Sequence, residues 1–147
     1  MTTTSEPADP GRTLRGSCLC GAVAYDCRGP LRSVARCFCV QCRKQSGSEC
    51  AINAEVAPGT FRISKGDEHL REFESSPGQL RVFCGRCGSP LFKRYAADPD
   101  RIRIRLGLLD VDFEEKPALQ VFTSERMRLT TVDSSIPSWE RGVEPPR

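Results

Sequence analysis

Apolar and polar side chains alternate with period two through most of the chain, a pattern that predicts short strands rather than helices. In segment 22–27, Val23, Tyr25 and Cys27 alternate with smaller or polar partners, and Arg28-Gly29-Pro30 ends the run. Ordered structure is expected to begin near Gly16. From Ser48 to Val56, the residues Cys50, Ile52, Ala54 and Val56 fall on one side and Glu49, Ala51, Asn53 and Glu55 on the other, so the first set is expected in the core. Phe61-Arg62-Ile63, Leu70-Arg71-Glu72-Phe73 and Leu80-Arg81-Val82-Phe83 read as further strands, separated by the turn sequences Lys65-Gly66-Asp67 and Ser75-Ser76-Pro77-Gly78. Alternation is cleanest at Ile102-Arg103-Ile104-Arg105-Leu106, with three aliphatics facing in and both arginines expected on the wet face. Leu119-Gln120-Val121-Phe122 predicts a last strand, and segment 136–140 a C-terminal flap. The exception is Arg43-Lys44-Gln45-Ser46-Gly47, which reads as one or two helical turns stopped by glycine.

A chain of 147 residues makes one domain, long enough to bury a core without covalent staples. Residues 1–13 and 141–147 offer little to bury and are expected to be tails around a single domain at 14–140. The opening residues lack the apolar core of a signal peptide, so a cytoplasmic, reducing compartment is expected. No apolar run approaches a membrane span. In a reducing compartment nine cysteines, an odd count, point to metal or catalysis rather than to disulfides. The formal charge of +3 treats each thiol as neutral. Seven thiolates around two Zn²⁺ ions remove about three charges, leaving the loaded protein near zero. Nucleic acid is therefore not an expected partner, and the dispersed arginines agree. Oligomeric state is not legible in the sequence.

Seven cysteines stand in three motifs. Cys37-Phe38-Cys39-Val40-Gln41-Cys42 brings three thiols to one point, at a spacing that lets them share a metal ion. Cys18-Leu19-Cys20 and Cys84-Gly85-Arg86-Cys87 supply four more, each pair beside glycines that allow a tight turn. The economical division is four plus three. Cys18, Cys20, Cys84 and Cys87 close one zinc site, while Cys37, Cys39 and Cys42 hold a second with one position open. Closed sites are structural, whereas an open position admits water or substrate. Cys27 lies on the apolar side of a strand and is expected in the core. Cys50 also falls on a core side, yet it is the nearest thiol that could close the triplet's site. His69, the only histidine, falls between turns with no partner spacing and is expected to face solvent.

Gly16-Ser17-Cys18-Leu19-Cys20-Gly21-Ala22-Val23, Cys37–Ser48 with its Arg43-Lys44-Gln45-Ser46-Gly47, and Phe83-Cys84-Gly85-Arg86-Cys87-Gly88-Ser89 together resemble the glutathione-dependent formaldehyde-activating enzymes and centromere protein V. The resemblance runs from about Gly16 to Trp139. It implies a mainly β, Mss4-like fold of short antiparallel sheets around two zinc sites, and the same assignment of the seven cysteines. Members of that family often carry a histidine where this chain has Gln120.

A zinc ion held by three thiolates is a weak Lewis acid toward water, but it suits a substrate's own sulfur, lowering that thiol's pKa and holding it against an electrophile. The expected activity is thus a carbon–sulfur lyase acting on a thiol–aldehyde adduct, with glutathione the co-substrate that the resemblance implies. Arg36, Arg43 and Lys44 bracket the triplet and are candidates to receive the charged ends of such a thiol. The competing reading is a non-enzymatic zinc module that binds a protein.

Overall fold

The computed structural model describes residues 11–143, so the expected tails lie outside the described residues except at 11–13 and 141–143. Among the described residues ten strands form: β1 (Thr13–Ser17), β2 (Ala24–Arg28), β3 (Arg32–Cys37), β4 (Ala51–Glu55), β5 (Arg62–Lys65), β6 (Leu70–Ser76), β7 (Gln79–Cys84), β8 (Pro90–Tyr95), β9 (Asp98–Arg105) and β10 (Leu119–Val121). One α-helix, α1 (Val40–Ser46), stands between β3 and β4. A three-stranded sheet has the order β1-β2-β5, and a seven-stranded sheet the order β10-β3-β4-β9-β8-β7-β6. The expected mainly β fold with short helical turns is therefore the one found. Its strands pair antiparallel except β10, which returns from a long connection to lie parallel to β3. No helix among the described residues is long and apolar enough to cross a membrane.

The inward faces of both sheets share one core, in which Val23, Tyr25, Cys27, Ala54, Val82, Leu91 and Ile104 are almost fully buried. Complete burial of each larger aliphatic contributes roughly 1.5–3 kcal/mol. Aromatic contacts join the layers: the Tyr25 and Phe61 rings lie 5.2 Å apart, and Phe61 meets Phe92 edge-on at 4.7 Å. Cys27 is a core residue, as its strand position indicates. Order begins earlier than Gly16, because Leu14 is buried and pairs with Cys27 across β1 and β2.

Two expectations about faces hold in part: Ala54, Val56, Ile102 and Ile104 are buried as expected, but their neighbours differ. On β4, Ala51 and Asn53 are buried while Ile52 is 39% exposed, and Cys50 is only half-buried. On β9, Arg105 is buried instead of wet, and Arg103 is half-buried. Both results have one cause. Ala51, Asn53 and Arg105 lie on the second face of the large sheet, which α1 and the triplet cover locally. A polar residue buried among polar partners looks in sequence like one facing water.

Gly66 and Gly47 both adopt positive φ, at 80° and 68°. They differ in surroundings: a Cβ on Gly66 would run into the Ala22 carbonyl, whereas one on Gly47 would meet nothing within 4 Å. Gly47→Ala is expected to lose about 1 kcal/mol, the left-handed cost alone. Gly66→Ala must also displace backbone, so about 3 kcal/mol and roughly 10 °C of melting temperature are expected. Thermal melts of the two variants check the difference, and equal shifts would show that the Gly66–Ala22 approach does not constrain the fold.

Candidate functional site

The chain turns tightly after β1 and again after β7, and the two turns face each other. Gly21 N–H donates to the Cys18 carbonyl at 3.0 Å, and Gly88 N–H to the Cys84 carbonyl at 2.8 Å. Each turn aims donors at sulfur: Val23 N–H at Cys18 Sγ (3.2 Å) and Arg86 N–H at Cys84 Sγ (3.4 Å). Ser89 ties the turns together, since its Oγ accepts from Leu19 N–H at 3.0 Å and lies 3.2 Å from Cys87 Sγ. The Ser89 hydroxyl and then its amide hold the metal-free Cys87 thiol down at about 5. Cys18, Cys20, Cys84 and Cys87 place their sulfurs within 4.8 Å of one another, with Cys18–Cys20 at 3.6 Å and Cys20–Cys84 at 3.9 Å. A zinc tetrahedron with ~2.3 Å bonds has sulfur–sulfur edges of about 3.8 Å, so this set fits zinc.

The second cluster forms where β3 hands the chain to α1. Cys37 is the last residue of β3, Cys39 is the N-cap with φ −61° and ψ 152°, and Cys42 lies in the first turn. Cys39 Sγ accepts from Cys42 N–H at 3.3 Å. At the other end Gly47 caps the helix, its N–H donating to the Arg43 carbonyl at 2.8 Å. The three sulfurs lie within 4.8 Å of one another, and among the described residues no fourth His, Cys, Asp or Glu joins them. Cys50 stands apart. An all-sulfur set is soft and suits zinc, and three ligands leave one position open.

Arg81 from β7 and Arg105 from β9 both reach Cys42, with Arg81 Nη1 and Arg105 Nη1 at 3.8 and 3.9 Å from its sulfur. Without a metal, hydrogen bonds from Cys37 and then Cys39, with the Arg105 and Arg81 charges behind them, drive the Cys42 thiol far below its ordinary range. Hydrogen bonding with Cys39 and then Cys42 pushes Cys37 far above it.

The triplet opens on a cleft of about 940 Å³. Apolar Val40, Val121 and Phe122 line one side, while Arg81, Lys93 and Arg103 form a row across β7, β8 and β9 on the other. Arg101 and Arg103 are both tied to Glu55, at 3.2 and 3.5 Å, whereas Lys93 has no carboxylate partner among the described residues and bonds Gln79 Oε1 at 3.0 Å. The two non-glycine residues with positive φ among the described residues, Ser33 (50°) and Phe122 (57°), both line this cleft. Such backbone strain concentrates at functional sites. Another cleft, of about 760 Å³, lies beside Arg15, Asp26 and Arg62, whose charges pair with one another, and holds none of the clustered thiols.

The three cations proposed from their position beside the triplet lie off the cleft lining. Arg36 stacks on the Phe38 ring at 5.0 Å and bonds Gln120 and Glu49. Arg43 donates to the Phe38 carbonyl at 3.3 Å, and Lys44 is exposed. Gln120 is fully buried, donating to the Asp133 carbonyl and Ser138 Oγ and accepting from Asp133 N–H and Arg36. It pins the C-terminal segment to β10. His69, expected to face solvent, is half-buried, and its imidazole lies 3.4 Å from the Glu68 carboxylate. Sequence reading missed Arg81, Arg105, Asn53 and Gln45. The one available signal was charge in a strand bound for the interior.

A family model described as glutathione-dependent formaldehyde-activating enzyme matches residues 13–125. A crystal structure of a Rhodobacter sphaeroides protein, a structural-genomics target, shares the fold with a TM-score of 0.57 at 23% identity, over 68% of this chain and 91% of that chain. No curated protein matches the sequence significantly.

Removing one thiol from each cluster should have unequal effects. The four-sulfur set joins residues more than 60 positions apart and both sheets, and metal binding there contributes to folding, on the order of 10 kcal/mol in small zinc peptides and less in a domain with its own core. Cys84→Ala is expected to unfold the protein or lower its melting temperature severely, and Cys39→Ala to leave it folded. Equal losses in thermal melts would contradict the division into a structural and a reactive site.

Proposed function

The chain belongs to the glutathione-dependent formaldehyde-activating enzyme family, and on that premise we propose that it is a zinc-dependent carbon–sulfur lyase acting on a thiol–aldehyde adduct such as S-hydroxymethylglutathione. The observation that carries this reading is a three-thiol cluster facing a 940 Å³ cleft with no fourth protein ligand among the described residues. Cys37, Cys39 and Cys42 would hold the reactive zinc, and Cys18, Cys20, Cys84 and Cys87 the structural one. Zinc at the triplet supplies a soft acceptor for the substrate's sulfur.

The chain's own residues do the rest. Val40, Val121 and Phe122 give the cleft an apolar wall beside the thiols. Lys93, free of any acidic partner among the described residues, and Arg101 on the Tyr95 ring at 4.4 Å stand where the carboxylates of an extended thiol would lie. In the cleavage direction the carbon–sulfur bond of the adduct breaks and its electron pair stays on sulfur. The hydroxyl hydrogen leaves as a proton while the carbon becomes the aldehyde carbonyl. Adduct formation is the reverse.

X-ray absorption on the zinc-loaded protein is expected to show two zinc ions per chain, one with four sulfurs and one with three sulfurs and a light atom that glutathione replaces by a fourth sulfur. Two inert four-sulfur zincs and no thiol binding would favour the non-enzymatic interaction module instead.

Charge on the cleft wall has its own test. Lys93→Ala should weaken glutathione about ten-fold, the loss of one charge-assisted contact of ~1.5 kcal/mol or more, and hardly change mercaptoethanol. Calorimetric titration with the two thiols measures this, and an equal change for both would remove Lys93 from carboxylate binding.

A further inference from the structure

Arg81 and Arg105 are 3% and 7% exposed, yet among the described residues neither reaches a carboxylate. Their oxygen partners are neutral. Arg81 donates to Ser75 Oγ at 2.8 Å and to Gln45 Oε1 and Gln41 Oε1, both at 3.2 Å. Arg105 donates to Asn53 Oδ1 and to the same Gln45 oxygen. One amide of α1 thus holds both guanidinium groups side by side. Among the described residues, the one group able to carry negative charge that both contact is Cys42 Sγ, at 3.8 and 4.0 Å from the two Arg81 terminal nitrogens and 3.9 Å from Arg105.

Two buried cations without a counter-charge are strongly unfavourable. A divalent ion on three thiolates carries a formal charge of about −1, which offsets only one of them. A neutral fourth ligand would leave the buried set positive, while an anionic one brings it to zero.

We propose that Arg81 and Arg105 are positioning residues that set the open metal position of the triplet for an anionic ligand, a thiolate over water or imidazole, and that their N–H groups hold the Cys42 sulfur. This rests on the open metal site of the proposed lyase. The N–H donors of Arg105, off the cleft lining, and of Arg81, at its edge, draw on the lone pairs of Cys42. The substrate sulfur, on the cleft side, keeps its own lone pairs for the aldehyde carbon. Reactivity toward the electrophile is thereby directed to the substrate's sulfur and away from the protein's.

The test uses the full chain loaded with cobalt(II), whose spectrum reports the fourth ligand at the triplet against a constant four-sulfur background. Wild type, Arg81→Met, Arg105→Met and the corresponding lysine variants are titrated with mercaptoethanol, azide and imidazole. Each methionine variant is expected to bind both anions about ten-fold more weakly or worse, with imidazole unchanged or tighter. The lysine variants should recover part of the anion affinity. Loss of the N–H donors should also move the thiolate-to-cobalt charge-transfer band to lower energy, a change that a purely structural role would not produce. Parallel losses for azide and imidazole, or no loss for either in variants that melt like wild type, would overturn the inference. Arginine-dependent azide binding without thiol binding would keep it and remove the lyase reading, whereas arginine-independent thiol binding would do the reverse. Should the methionine variants fail to fold, the wild type decides by itself: a preference for imidazole over azide overturns the inference.

Discussion

Four sulfurs meeting between the end of β1 and the end of β7 set the relation between the two sheets. Cys18 and Cys20 follow the three-stranded sheet, Cys84 and Cys87 follow a strand of the seven-stranded one, and the amide and hydroxyl donors around them already point at sulfur. The Tyr25–Phe61–Phe92 contacts then close the apolar layer beside this junction. With the sheets pinned at one corner, the second face of the large sheet is left to build something other than core.

That second face carries charge in register. Arg81 opposes Lys93, Lys93 opposes Arg103, and Arg103 opposes Glu55, a row across four neighbouring strands that like charges alone would oppose. Glu55 neutralises one end of it, and the thiol cluster at the mouth of β3 and α1 offers negative charge at the other. Gln41, Cys42 and Gln45 present one short helix to both arginines, so the helix, the cluster and the cationic wall form one polar unit. The arginine contacts in that unit are charge-assisted, and in a buried setting such contacts hold geometry tightly.

Gln120 shows how one buried amide can organise its surroundings. Its amide uses both ends, holding the 133–138 segment on one side and Arg36 on the other. Arg36 is thereby kept against Phe38 and Glu49 and away from the cleft. A residue adjacent in sequence to the triplet thus lies off the cleft lining, while residues 39 and 63 positions from Cys42 reach its sulfur.

Local geometry was legible in the sequence alone. Thiols one and two residues apart converge in almost any turn, so the grouping of seven cysteines into four and three follows from spacing, and the sulfurs do meet in those groups. The glycine stop at Gly47, the strands around Tyr25 and Ile104 and the late strand at Leu119 were equally plain, because φ preferences and period-two alternation act over a few residues. Tertiary structure alone decided what covers each face. Alternation separates Ile104 from Arg105 and Ala54 from Asn53, but it does not reveal that α1 lies over the polar side. Burial of Arg81 and Arg105 depends on partners from three elements, Gln41 and Gln45 on α1, Asn53 on β4 and Ser75 on β6, and no local pattern encodes that meeting. A buried charge is made tolerable by its surroundings, and those surroundings exist only once the chain has folded.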